Sequence, residues 1–353
     1  MQMLPMPETL GRSVYLNDMT DVMPAAVSAA GVPPVFISLH VKEEFDRDFT
    51  VRAVKLINEL NEKGYRVLAD VSKETLEQFK ENDISVLAQR LGLWGVRIDY
   101  GFSLSEICDI ASVIPTVVNA STVNEKDAGI IASSGKCIMA MHNFYPRPET
   151  GLDEDYLHES TEMLHAAGFK VIAFISGDMK KRGPIFEGLP TVENYRKLMP
   201  YEAYLNLILK DGVDQVFVGD PEISSKELNR INRFIGDQVV EAPCILKEKY
   251  QDLYGREYTC RVDSPGRLIR FQESRGFGYQ DETEIRPENN TCRIKGSITI
   301  DNSNYSRYCG ELQIIREDLP CDERVNVIGN VKPGYIEVID RIVRGRKFRL
   351  VVE

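Results

Sequence analysis

Much that would announce a function is missing from these 353 residues. Only four histidines occur, none of them clustered at metal-ligand spacing, which argues against a zinc hydrolase. A carboxylate site for Mg2+ stays open on these grounds. Seven cysteines are scattered singly with no Cys-x-x-Cys pair, the pattern of reduced thiols in a cytoplasmic protein. Cys108 and Cys137 lie in apolar contexts and are expected to be small buried hydrophobes. There is no Gly-x-Ser-x-Gly elbow and no glycine-rich dinucleotide fingerprint. The start, MQMLPMPETL, has neither a basic stretch nor a long apolar core, so no signal peptide is expected. No apolar run approaches the roughly 20 residues of a membrane span. A net charge of −11 speaks against nucleic-acid and membrane-surface partners, while leaving room for a small anion held by local arginines.

What is present is a recurring short apolar run. Arg12–Leu16, Val35–His40, Arg66–Val71, Gly95–Tyr100, Thr116–Ala120, Cys137–His142, Lys170–Ser176 and Gln215–Asp220 read as strands buried on both faces. Helical patterns separate them: TVRAVKLINELNEKG closes at Gly64, and DEDYLHESTEMLHAAG closes at Gly168. Eight such units over about 225 residues fit a (β/α)8 barrel, with a doubly wound sheet as the rival. SSKELNRINRFIGD is expected to be its last helix. From Val240 onward the chain turns to short alternating segments, EYTCRV, RLIRFQ, CRIKGSITI, GELQII, NVIGNV, YIEVID and FRLVVE. These predict a small all-β domain, closed or nearly closed. The domains are placed at 1–238 and 239–353.

Chemistry in such a barrel sits at the C-terminal ends of the strands. That edge would carry Tyr15, Asn17 and Asp18, then Ser38 and His40, Asp70 and Ser72, and Arg97, Asp99 and Tyr100. Asn119 and Ser121 follow, then the loop MHNFYPRPETGL with His142, Asn143, Tyr145, Arg147 and Glu149. The loop MKKRGPIFEGLPTVE adds Lys181, Arg182 and Glu187, and the eighth strand ends at Asp220. Arg97 and Asp99, two apart, face one side of their strand, either as a structural ion pair or as ligand contacts. Asp70 or Ser72 could instead cap KETLEQF. Phe186 and Leu189 are expected to anchor the seventh loop. A mouth rich in acids suits glycoside chemistry, in which one carboxylic acid protonates the leaving oxygen and a second base, nucleophile or substrate amide attacks the anomeric carbon. Arg147 and Arg182 could grip a phosphate or carboxylate. No strand ends in a Schiff-base lysine, which disfavours an aldolase.

The runs RIDYGFS, VNASTV, HNFYPRPETGL, KRGPIFEGLPTVE and VFVGDP, with GSITIDNSNYSRYCGELQIIREDLPCDERVNVIG, resemble the 6-phospho-N-acetylmuramidase family from Gly11 to Glu353. The resemblance implies a (β/α)8 barrel followed by a cyclophilin-like β-domain. It also implies cytoplasmic hydrolysis, without a cofactor, of the β-1,4 bond of 6-phospho-N-acetylmuramyl-N-acetylglucosamine in cell-wall recycling. On that reading Asp99 and Glu187 are the first candidate catalytic acids, with Asp70 and Glu149 in reserve. Asn119, His142, Asn143, Tyr145, Arg147, Arg182 and Asp220 would hold the phosphorylated disaccharide. Alternatives are another 6-phosphoglycoside as substrate, or a non-catalytic sugar-phosphate binder. Tyr305, Arg307, Tyr308 and Glu311 would form a lid or, more plainly, a structural cluster.

Overall fold

The computed structural model describes residues 9–16, 32–39, 46–135, 137–275 and 285–352. The chain divides into two compact units, Met1–Gly236 and Asp237–Glu353.

The first unit is a closed barrel of eight parallel strands: β1 (Gly11–Val14), β2 (Pro34–Ser38), β3 (Arg66–Val71), β4 (Gly95–Ile98), β5 (Thr116–Asn119), β6 (Ile138–Met141), β7 (Lys170–Ile175) and β8 (Gln215–Val218). Each strand pairs with the next, and β1 closes on β8 through Gly11–Phe217 and Arg12–Val218. The helices are α1 (Phe49–Glu62), α2 (Lys73–Phe79), α3 (Ile84–Leu91), α4 (Leu104–Val113), α5 (Glu125–Ser134), α6 (Glu154–Ala166), α7 (Pro200–Leu209) and α8 (Ser225–Asp237). Gly64 and Gly168, just past α1 and α6, take positive φ, the left-handed turn that glycine adopts at no steric cost.

Because strand side chains alternate, each strand serves two cores. Phe36, Leu68, Val117, Met139, Met141, Ile172, Phe174 and Phe217 pack together as one cluster. Val35, Ile37, Val67, Ala69, Val96 and Ile98 pack instead with residues of α1 and α3. Ala140 and Val171 pack likewise with residues of α5 and α6. The first set fills the barrel, and its parity decides what reaches the mouth.

The second unit is a seven-stranded sheet in the order β10–β15–β9–β14–β12–β13–β11. Its strands are β9 (Val240–Leu246), β10 (Glu257–Thr259), β11 (Leu268–Arg270), β12 (Ser297–Asp301), β13 (Leu312–Ile315), β14 (Val325–Val331) and β15 (Lys347–Val351). Beyond the two edge strands, Cys260 and Phe271 form an antiparallel bridge, so the sheet curls until its edges meet. Two segments differ from expectation. YIEVID lies in 3-10 turns from Pro333 to Arg341, and Tyr335, Val338 and Ile339 are buried at three- and four-residue spacing. β9 is a strand that the sequence does not suggest, since Pro243 interrupts its apolar run. The proline is accommodated where β15 ends, opposite Val351.

Candidate active site

The polar residues of the barrel mouth continue the inward-facing parity of the strands. Phe36 is followed by Ser38, Leu68 by Asp70, Arg97 by Asp99, Val117 by Asn119, and Met141 by Asn143. Ser38, Asp70, Arg97, Asp99, His142, Asn143, Phe144, Tyr145 and Arg182 border a cavity of about 360 Å3, with Phe36, Met141 and Phe174 completing the lining.

Arg97 is the hub. One guanidinium nitrogen, Nη1, donates to Asp70 Oδ1 at 2.9 Å and reaches Asp99 Oδ1 at 3.4 Å, while Nη2 donates to Asn143 Oδ1 at 2.6 Å. Asn119 Nδ2 donates to the same Asp99 oxygen at 3.2 Å. Arg97 and Asp70 are almost fully buried, whereas the Asp99 side chain keeps 19% of its surface exposed. Asp99 is therefore the more accessible carboxylate. Asp70 is not a helix cap: Ser72 occupies the N-cap position of α2, and its N–H donates to Thr75 Oγ1 at 3.0 Å.

His142 has the opposite parity and is fully buried. Neither ring nitrogen has a hydrogen-bond partner among the described residues, and burial alone pulls its pKa down to about 4. The imidazole is neutral at physiological pH.

The loop that follows β6 is held from behind. The buried Arg196 forks onto Glu193 at 2.6 and 2.7 Å. It also donates to the carbonyls of Tyr145 (2.9 Å), Gly188 (3.1 Å) and Arg147 (3.3 Å). The hydrogen bonds from Arg196 bring the Glu193 pKa down to about 2. Thr191 Oγ1 donates to the Asn143 carbonyl at 3.0 Å. Arg196, Glu193 and Thr191 escape sequence reasoning because their partners beyond their own turn are backbone groups 8 to 51 residues away, with no periodicity linking them.

Across the cavity, the Arg182 guanidinium lies 3.9 Å from the centre of the Tyr15 ring and 6.0 Å from that of Phe144. The Tyr15 hydroxyl donates to the Gly219 carbonyl at 2.5 Å, and burial raises its pKa against the opposing pull of Arg182. Asp220, one residue out of parity with Gly219, is buried behind the wall and takes three backbone N–H groups.

Of the residues singled out in the sequence, the fold gathers Asp70, Asp99, Asn143, Tyr145 and Arg182 around the cavity, with His142 at its wall and Asn119 behind Asp99, to which it donates. Arg147, Glu149 and Glu187 are exposed and are not among the lining residues. Asn17, Asp18 and His40 lie outside the described residues. Two packing expectations are corrected. Leu189 is buried, but Phe186 is 63% exposed with its ring against Gly183. Cys137 is exposed at the start of β6, where the strand has not yet entered the core. In the β-domain, Tyr305 and Tyr308 meet edge-on at 5.9 Å, Arg307 covers Tyr308, and Glu311 is bound by Arg270. Among the described residues no cluster of His, Cys, Asp and Glu could hold a metal ion, and no helix is long and apolar enough to cross a membrane.

Residues 10–233 match the family model described as 6-phospho-N-acetylmuramidase, N-terminal, and residues 240–351 match the corresponding C-terminal model. Among solved structures, a conserved protein of unknown function from Enterococcus faecalis is similar, with a TM-score of 0.80 and 28% identity. That match covers 98% of this chain and 96% of the other. An uncharacterized B. cereus protein has a TM-score of 0.76 at 23% identity, over 98% and 100% of the two chains, and shows the fold. No curated protein matches the chain.

Proposed function

The chain belongs to the 6-phospho-N-acetylmuramidase family, and from that premise we propose that its barrel mouth hydrolyses the β-1,4 bond of 6-phospho-N-acetylmuramyl-N-acetylglucosamine in cytoplasmic cell-wall recycling. The observation that carries the reading is the cavity itself. It joins an accessible carboxylate, Asp99, to a buried Asp70–Arg97 pair, and sets a second guanidinium, Arg182, against aromatic faces.

Asp99 is the acid or base that works at the glycosidic bond. Arg97 and Asn119 both bind its Oδ1 and so fix the plane of the carboxylate. Asp70 stays with Arg97 and keeps that guanidinium from drifting toward the ligand. Asn143 and Tyr145 offer an amide and a ring face to a pyranose. The 2-acetamido group of this substrate can itself attack the anomeric carbon, in which case a single mobile proton at Asp99 suffices. Glu187, Glu149 and Arg147, exposed on the two loops, are the groups available to the departing sugar.

The test is release of N-acetylglucosamine from the phosphorylated disaccharide. The unphosphorylated disaccharide and 6-phospho-chitobiose are run in parallel. Asp99→Asn is expected to lower the rate by about 10²–10⁴-fold, the usual weight of a positioned acid or base. Glu187→Gln asks whether the exposed acid matters. Cleavage of 6-phospho-chitobiose alone would move the specificity. Tight binding of all three with no release would replace the enzyme by a sugar-phosphate binder.

A further inference from the structure

In (β/α)8 barrels the loops after the seventh and eighth strands frequently turn their backbone N–H groups toward a phosphate. Here N–H groups of the loop after β7 converge on an anion, but the anion belongs to the chain, to the residue that opens the loop after β8. Asp220 Oδ2 accepts from the Gly177 N–H at 2.9 Å and the Leu189 N–H at 3.3 Å, and Oδ1 accepts from the Arg182 N–H at 3.0 Å. Lys181 Nζ adds a charge 3.6 Å from Oδ2. The carboxylate has no exposed surface.

Close approach makes the arrangement possible. A Cβ on Gly177 would lie 2.1 Å from the Glu222 carbonyl oxygen, and one on Gly219 would lie 2.4 Å from that of Leu189. Only glycine lets the two loops pack at that distance.

We propose that Asp220 fills the barrel's anion site from within, and that it is a positioning residue whose consequence is the placement of Arg182. With the backbone nest occupied, an anionic group of the ligand is recognised by the Arg182 side chain instead. Asp220 fixes the Arg182 N–H, Gly219 takes the Tyr15 hydroxyl, and the guanidinium lies across the Tyr15 ring between these two anchors. A planar guanidinium held this way presents paired donors to a phosphate or carboxylate. This assignment of the anionic group rests on the reading of the site given above. The occupancy of the nest does not.

The experiment uses the full chain carrying Asp220→Ala, with sodium formate as a replacement for the missing carboxylate and sodium chloride of equal strength as control. Formate is expected to raise the melting temperature of the variant and to leave the wild type unchanged. With the phosphorylated disaccharide, KM of the variant should rise about ten-fold or more while kcat changes far less, and formate should restore KM. The unphosphorylated compound should show no such split. Equal stabilisation of the variant by formate and chloride would overturn the occupancy. KM and kcat that worsen together on both substrates would overturn the placement of Arg182. If Asp220→Ala folds only in formate, the occupancy is supported directly. If it folds in neither salt, Asp220→Asn, which keeps an oxygen for the N–H groups, is the second variant, and an Asn variant no more stable than the alanine one would overturn the occupancy. A wild type that cleaves nothing, beside a variant that formate rescues thermally, would sink the functional reading and spare the filled nest.

Discussion

Asp70 in the barrel and Asp301 in the β-domain are both about 4% exposed, both on strands, and both beside another acid and an arginine. In the barrel, Arg97 lies between its two carboxylates and touches each. In the β-domain, Arg270 is committed to Glu311, forking onto both of its oxygens. Asp301 is left with an amide, Gln313 Nε2 at 3.2 Å, and its Oδ1 has no partner. Burial, joined by the Glu311 charge, raises the Asp301 pKa to about 7. Two acids buried alike differ in whether a guanidinium donates to them, and at Asp301, where none does, burial raises the pKa.

The largest test of this contrast is Arg97→Met. It removes the guanidinium that donates to Asp70, and loss of one partner of a buried pair costs about 3–5 kcal/mol. Urea unfolding should show that loss, and adding Asp70→Asn should recover part of it. A single variant as stable as the wild type would mean that Arg97 contributes nothing to holding Asp70, and the contrast with Asp301 would dissolve.

Asp301 should show the reverse. Its folded pKa lies above the unfolded value near 3.8, so the folded state binds the proton more tightly. Its contribution is therefore full below that value and is lost as pH rises toward 7. At about 1.4 kcal/mol per unit, the loss is on the order of 4 kcal/mol, and Asp301→Asn should abolish it. The variant should be the more stable protein at pH 8. A wild-type stability that is flat from pH 4 to 7, once other groups are controlled by the variant, would contradict this.

His142 titrates the other way. Its folded pKa is depressed to about 4, so stability is fully present above the unfolded value of 6.5 and is lost as pH falls toward 4. The loss is about 2–3 kcal/mol. His142→Phe should remove that slope in thermal melts taken across this window. The smallest effect belongs to Phe186→Ser. An exposed ring on the seventh loop should change stability by about 0.5 kcal/mol or less, whereas Leu189→Ala, in a buried position, should cost about 2–5 kcal/mol.

The sequence by itself determined the architecture. Eight apolar runs spaced by amphipathic helices fit a closed parallel barrel, with a doubly wound sheet as the rival, and all eight strands lie where those runs predict them. It also named the residues at the strand ends, because a strand that is apolar along its length and polar at its last positions has reached the barrel's mouth. The same alternation that put Arg97 and Asp99 on one face also sorts the rest: Asn119 and Asn143 continue the inward set, while His142 and Asp220 fall out of it. What only the tertiary structure decided is which groups share each charge. Arg97 meets Asp70 across 27 residues and Asn143 across 46; Arg196 meets the Tyr145 carbonyl across 51. These pairings arise from strand register and loop packing, which bring together residues with no local signal of one another. Asp220 is the sharpest case, since nothing in VFVGDP says that its carboxylate will be enclosed by three N–H groups of the preceding loop.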